Sequence, residues 1–215
     1  EDFKEIKYDQ QYPDSIMYIG NISQIFDLKK SEFPDYENLI SLIQNWDRRG
    51  NIENIGAVQW SLFYSYMLDL LSENEIDVED TIDIKLHLDA LEKTSDHLMK
   101  NFGKLDIELG DFQRHIRGDK SLPVSGLIDM IAPTYSIGMK DGKVRAVSGE
   151  SYIMLIKYTE DGPEIETVIP YGSSSNPSSP HYTDQMQLYV DKKTKKMTLD
   201  KESIYKNAAS VYNPN

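Results

Sequence analysis

A change in pattern near residue 104 constrains this chain more than any other feature. Before it, apolar residues recur at helical spacing over long stretches with few breakers. After it, glycine or proline interrupts the chain every few residues from Gly110 to Gly172. That is too often for a long helix and suits short strands joined by turns. No internal repeat links the two parts. The expected class is therefore α+β, with a helical segment over 1–104 and a strand-rich segment over 105–215.

In the first segment, Pro34 and Asp35 are expected to open a helix through Leu39, Ile40, Leu42, Ile43 and Trp46, with Gly50 as its stop. A second helix is predicted over 57–73, carrying Val58, Leu62, Met67, Leu70 and Leu71. A third, over about 80–100, presents Ile84, Leu88, Leu91, Leu98 and Met99 on one face and ends at Gly103. In the second segment, strands are predicted over 112–116, 144–148, 151–158 and 165–171. The last two form a hairpin turning at Asp161-Gly162-Pro163. A loop over 172–180, a short helix over 182–190 and a loosely held tail after Asn207 complete the reading.

Composition bounds the partners. Hydrophobic residues make up 39% of the 215 and charged residues 27%, with 14 Tyr and 6 Phe, so a sizeable core is expected. A net charge of -13 argues against nucleic-acid backbones and anionic membranes. The basic cluster Lys192, Lys193, Lys195 and Lys196 lacks interleaved aromatics and reads as a solvated turn. With no cysteine, disulfides, thiolate metal sites and a thiol nucleophile are excluded. No run approaches the ~20 apolar residues of a membrane span. Glu1 does not resemble a natural start, so a processed chain or a fragment is expected.

The search for chemistry names no catalytic residue, metal set or cofactor site. Gly172-Ser173-Ser174-Ser175 runs into Asn176 where a nucleophile elbow needs glycine, and Ser148-Gly149-Glu150-Ser151 fails the same spacing. A serine without an activating base is a weak nucleophile. His87 and His97, ten residues apart on one helix, face different sides and cannot clamp a metal as an i, i+4 pair would. Both are expected at the surface beside Asp83, Asp89 and Lys93. Strand alternation sends Arg114 and Ile116 one way and His115 the other. His181 follows Pro180 in a loop where serines can cap the coming helix and the imidazole can bond the backbone. Arg114, His115, Ser179, His181 and Asp184 thus form a candidate set, structural or pocket-near. Carboxylate pairs such as Glu79 and Asp80, or Asp106 and Glu108, read as solvated faces in so acidic a chain. Trp46-Asp47-Arg48-Arg49 reads as a helix-end cap, its arginines suiting the negative end of the helix dipole.

Three stretches carry a resemblance. They are Leu109-Gly110-Asp111-Phe112-Gln113-Arg114-His115-Ile116-Arg117-Gly118 with its continuation Leu122-Pro123-Val124-Ser125-Gly126, then 149–155, then 171–185. In this order and spacing they resemble the C-terminal region of the penicillin acylase family of N-terminal-nucleophile hydrolases. The third is the most specific: a glycine-serine turn followed by Asn176-Pro177-Ser178-Ser179-Pro180-His181-Tyr182-Thr183-Asp184-Gln185. Trp46-Asp47-Arg48-Arg49 and the helix ending at Phe102-Gly103 resemble the helical insert before those strands, so the likeness runs from about 35 to 200. The first stretch resembles the lactone-acylase and aculeacin-acylase side of the family.

The resemblance implies the C-terminal part of a four-layer αββα body, in a parent that cleaves a linear amide between an acyl chain and an amine, such as a penicillin or an acyl-homoserine lactone. Such enzymes cut themselves to free a serine whose own α-amine is the base. An upstream asparagine and backbone amides stabilise the oxyanion. None of these residues maps onto this chain, which begins Glu1-Asp2-Phe3, so it is expected to be inactive alone. The implied partners are the rest of the acylase polypeptide and a small amide substrate, with no cofactor. The implied setting is periplasmic or secreted, in antibiotic metabolism. Exposed strand edges predict self-association. The alternative is a stand-alone binding or scaffolding domain without catalysis.

Overall fold

The structure is a computed structural model that describes residues 2–12, 19–208, 210 and 211. It divides into two compact units, Glu1–Gly149 and Glu150–Asn215. The leading helices run as far as Phe112 and strands begin at Gln113, whereas the compact units part later, after Gly149.

The first unit holds helices α1 (Asp2–Lys7), α2 (Glu37–Gln44), α3 (Ala57–Glu73), α4 (Ile84–Phe102) and α5 (Leu109–Phe112). Strands β1 (Gln113–Arg117), β2 (Lys120–Pro123), β3 (Thr134–Gly138) and β4 (Val144–Gly149) follow. Pro34 opens a tight 3-10 turn over Pro34–Tyr36 rather than the α-helix itself, which starts at Glu37. Gly50 does not stop α2, which ends at Gln44. Instead its amide donates to Gln10 O at 2.9 Å and its carbonyl accepts from the Gly126 amide at 2.8 Å, tying three segments together.

α4 begins at Ile84, capped by Asp83, whose carboxylate accepts the Lys85 amide at 2.9 Å. It ends as expected at Gly103, which takes a left-handed φ of 72° and donates its amide to Met99 O. Its buried stripe is His87, Ala90, Leu91, Thr94 and Leu98. Ile84 and Met99, placed on the inner face by sequence, are exposed instead. At 100° per residue Met99 falls well to one side of the stripe that 87, 91, 94 and 98 define, while Ile84, the first residue of the helix, lies at its edge.

Around α3 and α4 the core gathers Ile22, Ile25, Ile40, Ile43, Phe63 and Met67, all fully buried. The indoles of Trp46 and Trp60 stack at 6.1 Å within it. The four strands pair in the order β2-β1-β4-β3. Every neighbour is antiparallel except β1 and β4, which run parallel. The expected strands at 112–116 and 144–148 are β1 and β4, with Phe112 drawn into α5. Strands β2 and β3 escaped the sequence reading because short segments beside turns carry little alternation.

The second unit holds β5 (Ile153–Thr159), β6 (Gly162–Val168), α6 (Met186–Val190), β7 (Lys195–Met197) and α7 (Lys201–Asn207). β5 and β6 form the expected hairpin, in register from Ile153↔Val168 to Thr159↔Gly162. The turn is Glu160-Asp161, so Gly162 and Pro163 belong to the strand. β7 adds antiparallel to β6. It takes Lys195 and Lys196 out of the expected turn and into a ladder, with Lys192 left in the turn at a φ of 56°. α6 starts at Met186, four residues later than expected, because turns occupy 182–184. α7 was not foreseen; Asp200 caps it through the Ser203 amide at 2.8 Å. Residues 209 and 212–215 of the expected loose tail lie outside the described residues. No described helix is long and apolar enough to cross a membrane.

Candidate functional site

The five candidate residues fall into two groups, one in each unit. On β1, Arg114 donates to Gly110 O at 2.7 Å, to Ser121 Oγ at 3.1 Å and to Ser121 O at 2.9 Å. These bonds lash the end of α5 and strand β2 to β1. His115 points to the other side and is buried, as alternation requires. Its neighbour Gln113 is also buried, and sequence reading did not single it out. Its amide nitrogen donates to Val124 O and Gly126 O at 3.0 and 2.8 Å, and its oxygen accepts from Ser136 Oγ at 3.1 Å.

In the second unit, residues 169–185 form a pinned loop. Ser174 N donates to His181 O at 3.1 Å and Gln185 N to Tyr171 O at 3.0 Å. The buried Gln185 accepts the Ile169 amide at 3.2 Å and donates to Ser173 Oγ at 3.0 Å. Gly172 sits so close to the return strand that a Cβ would lie 2.2 Å from His181 O. Ser179, His181 and Asp184 do come together, but not as a catalytic triad. Ser179 Oγ accepts the backbone amide of His181 at 3.1 Å, and His181 Nδ1 meets Asp184 Oδ2 at 2.9 Å. No described serine hydroxyl bonds the imidazole, whose side chain is 65% exposed. The turn is pinned by the carbonyl of His181, with its ring outside.

Both helix histidines depart from expectation. His87 is fully buried against the Phe63 ring at 6.1 Å, and neither ring nitrogen has a hydrogen-bond partner. Backbone groups of Asp83, Asn21 and Ile22 lie near it without completing a bond. Burial holds its pKa below the usual histidine range, so the ring is neutral at pH 7. His97 is half-buried, its Nε2 at 2.7 Å from Gly142 O and its Nδ1 at 2.8 Å from Tyr66 Oη. A carbonyl can only accept, so Nε2 carries a proton, and Nδ1 shares a hydrogen bond with the Tyr66 hydroxyl. Both nitrogens are thereby occupied. The acidic neighbours in sequence suggested solvent, but each ring falls on a packed side of α4.

A cavity of about 440 Å³ opens in the first unit, walled by α3, β1, β3 and the 127–129 segment. Trp60, Phe112, Leu127 and Val144 contribute apolar wall, while Tyr64, Tyr66 and Tyr135 add phenol rings. Its ionisable lining beyond the phenols is Asp69, Asp129, Lys143 and the hydrogen-bonded His97. The Tyr12 hydroxyl donates to Ile128 O. Burial raises the Tyr12 pKa and the Asp129 charge raises it further. Tyr64 is raised by burial and then by Asp129, and Tyr66 by burial and then by Asp69. Tyr12, Tyr64 and Tyr66 therefore stay neutral at pH 7, under the field of the two carboxylates. No described cluster of three or more His, Asp or Glu residues could hold a metal ion.

The chain belongs to the penicillin amidase family, whose profile, described as penicillin amidase, matches residues 1–206. An acyl-homoserine lactone acylase PvdQ of Pseudomonas savastanoi pv. phaseolicola is 30% identical over 98 residues, which are 44% of this chain and 13% of that protein. The aculeacin-A acylase of Actinoplanes utahensis is 30% identical over 90 residues, covering 39% of this chain and 11% of that protein. A thermostable penicillin G acylase from Alcaligenes faecalis superposes with a TM-score of 0.30 at 15% identity, over 92% of this chain and 37% of that one. The matched segment is thus about an eighth of the length of these curated relatives.

Proposed function

We propose that this chain is the C-terminal part of an amide-cleaving acylase whose nucleophile lies elsewhere in the polypeptide. The parent enzyme hydrolyses a linear carbon-nitrogen amide between an acyl chain and an amine, in the manner of the lactone acylases and the aculeacin acylase that it resembles. The family match over residues 1–206 is the observation that carries this reading. It is supported by the placement of three of the four histidines: His97 is engaged at both ring nitrogens, His181 is bonded to Asp184 without a serine, and His87 is sealed in the core. In this reading the strands join the sheets of an αββα body, and the exposed residues Met154, Ile156 and Tyr158 pack against the remaining polypeptide. Alone, the chain self-associates through that surface. The parent works in the periplasm or outside the cell, in antibiotic metabolism.

The test is an assay of the purified 215-residue chain on acyl-homoserine lactones and penicillin G. No turnover is expected from the chain, and activity is expected once the missing polypeptide is supplied. Turnover by the chain alone would sink the proposal. Light scattering at high concentration should show a dimer or larger species, and a clean monomer would remove the self-association.

A further inference from the structure

We propose that the cavity of the first unit is a binding site for a small amphipathic amine, an apolar body bearing one ammonium group. This goes beyond the acylase reading and does not depend on it, since every lining residue belongs to Glu1–Gly149. Its volume of about 440 Å³ lies within the range of small-molecule sites. The inner wall is apolar and aromatic, so it takes an uncharged body. The charged lining is not balanced: Asp69 and Asp129 face one lysine, Lys143. Both ring nitrogens of His97 are already engaged, by Tyr66 Oη and Gly142 O. The same aromatic cluster already carries a cation at its far end. Arg48 lies 5.6 Å from the Phe26 ring centre, and Phe26 packs on Trp60 at 5.2 Å. Within the cavity, Tyr64 stacks on Trp60 at 5.5 Å, and Tyr64 and Asp129 both line it.

Backbone geometry adds a second sign. Asp129 holds a left-handed φ of 64° in the segment whose Ile128 carbonyl is anchored by Tyr12. That conformation is uncommon outside glycine and costs energy, yet here it places a carboxylate at the cavity. A neutral ligand would gain from the wall alone. A carboxylate ligand would meet two like charges. An ammonium gains from the wall, the rings and the carboxylates together.

The probe is 2-phenylethylammonium chloride, titrated into the full chain and followed by tryptophan fluorescence and ligand-observed NMR. The neutral 2-phenylethanol and the anionic 3-phenylpropanoate are the controls. The ammonium should bind about tenfold more tightly than the alcohol at low salt, and the anion more weakly than either. Added salt should weaken the ammonium alone. Asp129→Asn keeps a residue that tolerates left-handed φ, and should cut ammonium affinity about fivefold while sparing the alcohol. If Asp129→Asn also loses the alcohol, the cavity has collapsed, and Asp69→Asn on the exposed side of α3 decides by the same criterion. Equal binding of ammonium and alcohol would overturn the proposal, leaving a merely apolar surface. So would stronger binding of the anion, indifference to both substitutions, or no binding at about 10 mM, the weak end of small-molecule affinity.

Discussion

The two units are held together by different means. In the first, Phe63, Met67, Leu91 and Leu98 are fully buried among helices, and aromatic rings touch from Tyr12 through Trp46 and Trp60 to Phe63. In the second, the fully or nearly sealed apolar residues are Ile153, Ile165, Val168 and Met186. One face of its sheet is covered only at its middle: Ile156 pairs with Ile165 and Ile165 with Met197, so all three share a face, yet Ile156 and Met197 are exposed. Packing carries the first unit. Hydrogen bonds of one loop and one hairpin carry the second.

The largest test of that contrast is Phe63→Ala. A fully buried phenylalanine between Trp60 and His87 should cost about 3–5 kcal/mol in urea unfolding followed by tryptophan fluorescence. Both tryptophans lie in the first unit, so the signal reports that unit. A loss below about 1 kcal/mol would mean that its core is looser than its burial implies.

Gly172→Ala is the counterpart in the second unit. A Cβ placed 2.2 Å from His181 O must push apart the strands of the loop that the Ser174–His181 bond closes. Overpacking of this kind costs about 1–3 kcal/mol. The amides of Ser174 and Gln185 should then exchange faster with solvent, with the first unit unchanged. Unaltered exchange at both amides would show that the loop is not what holds this unit.

His87 gives the first unit a pH dependence that the second lacks a buried imidazole to match. Its folded pKa lies below its unfolded value, so the unfolded chain binds the extra proton first. Stability is complete above pH ~6.5 and falls on acidification toward the folded pKa, by at most ~1.4 kcal/mol per pH unit. His87→Leu should flatten that slope in unfolding curves taken between pH 7 and about 5. An unchanged slope would move its origin to other groups.

The smallest effect belongs to His181→Ala. The ring is largely solvent-exposed, and its pair with Asp184 should contribute no more than about 0.5 kcal/mol. A melting shift as large as that of Gly172→Ala would show that the ring, and not only its backbone carbonyl, pins the loop.

The sequence was most informative where one local rule decides the outcome. Gly103 ends α4 because left-handed backbone there strains other residues, and Asp161-Gly162 marks the hairpin to within a residue. Arg114 and His115 alternate across β1 because a strand has period two. The cavity was not legible. Tyr12, Trp60, Asp69 and Asp129 are ordinary residues at unremarkable spacings, and only the fold gathers them.

What the sequence determined by itself was the class of fold, the order of its main elements, and the family signature running through 109–126 and 171–185. These depend on periodicity, turn chemistry and residue identity, which act over a few positions. What only the tertiary structure decided was which side of α4 turns inward, the parallel pairing of β1 with β4, and the burial of His87. Each depends on partners far away in the chain. Burial and strand pairing are properties of the packed whole, and no short window of sequence contains the neighbour that fixes them.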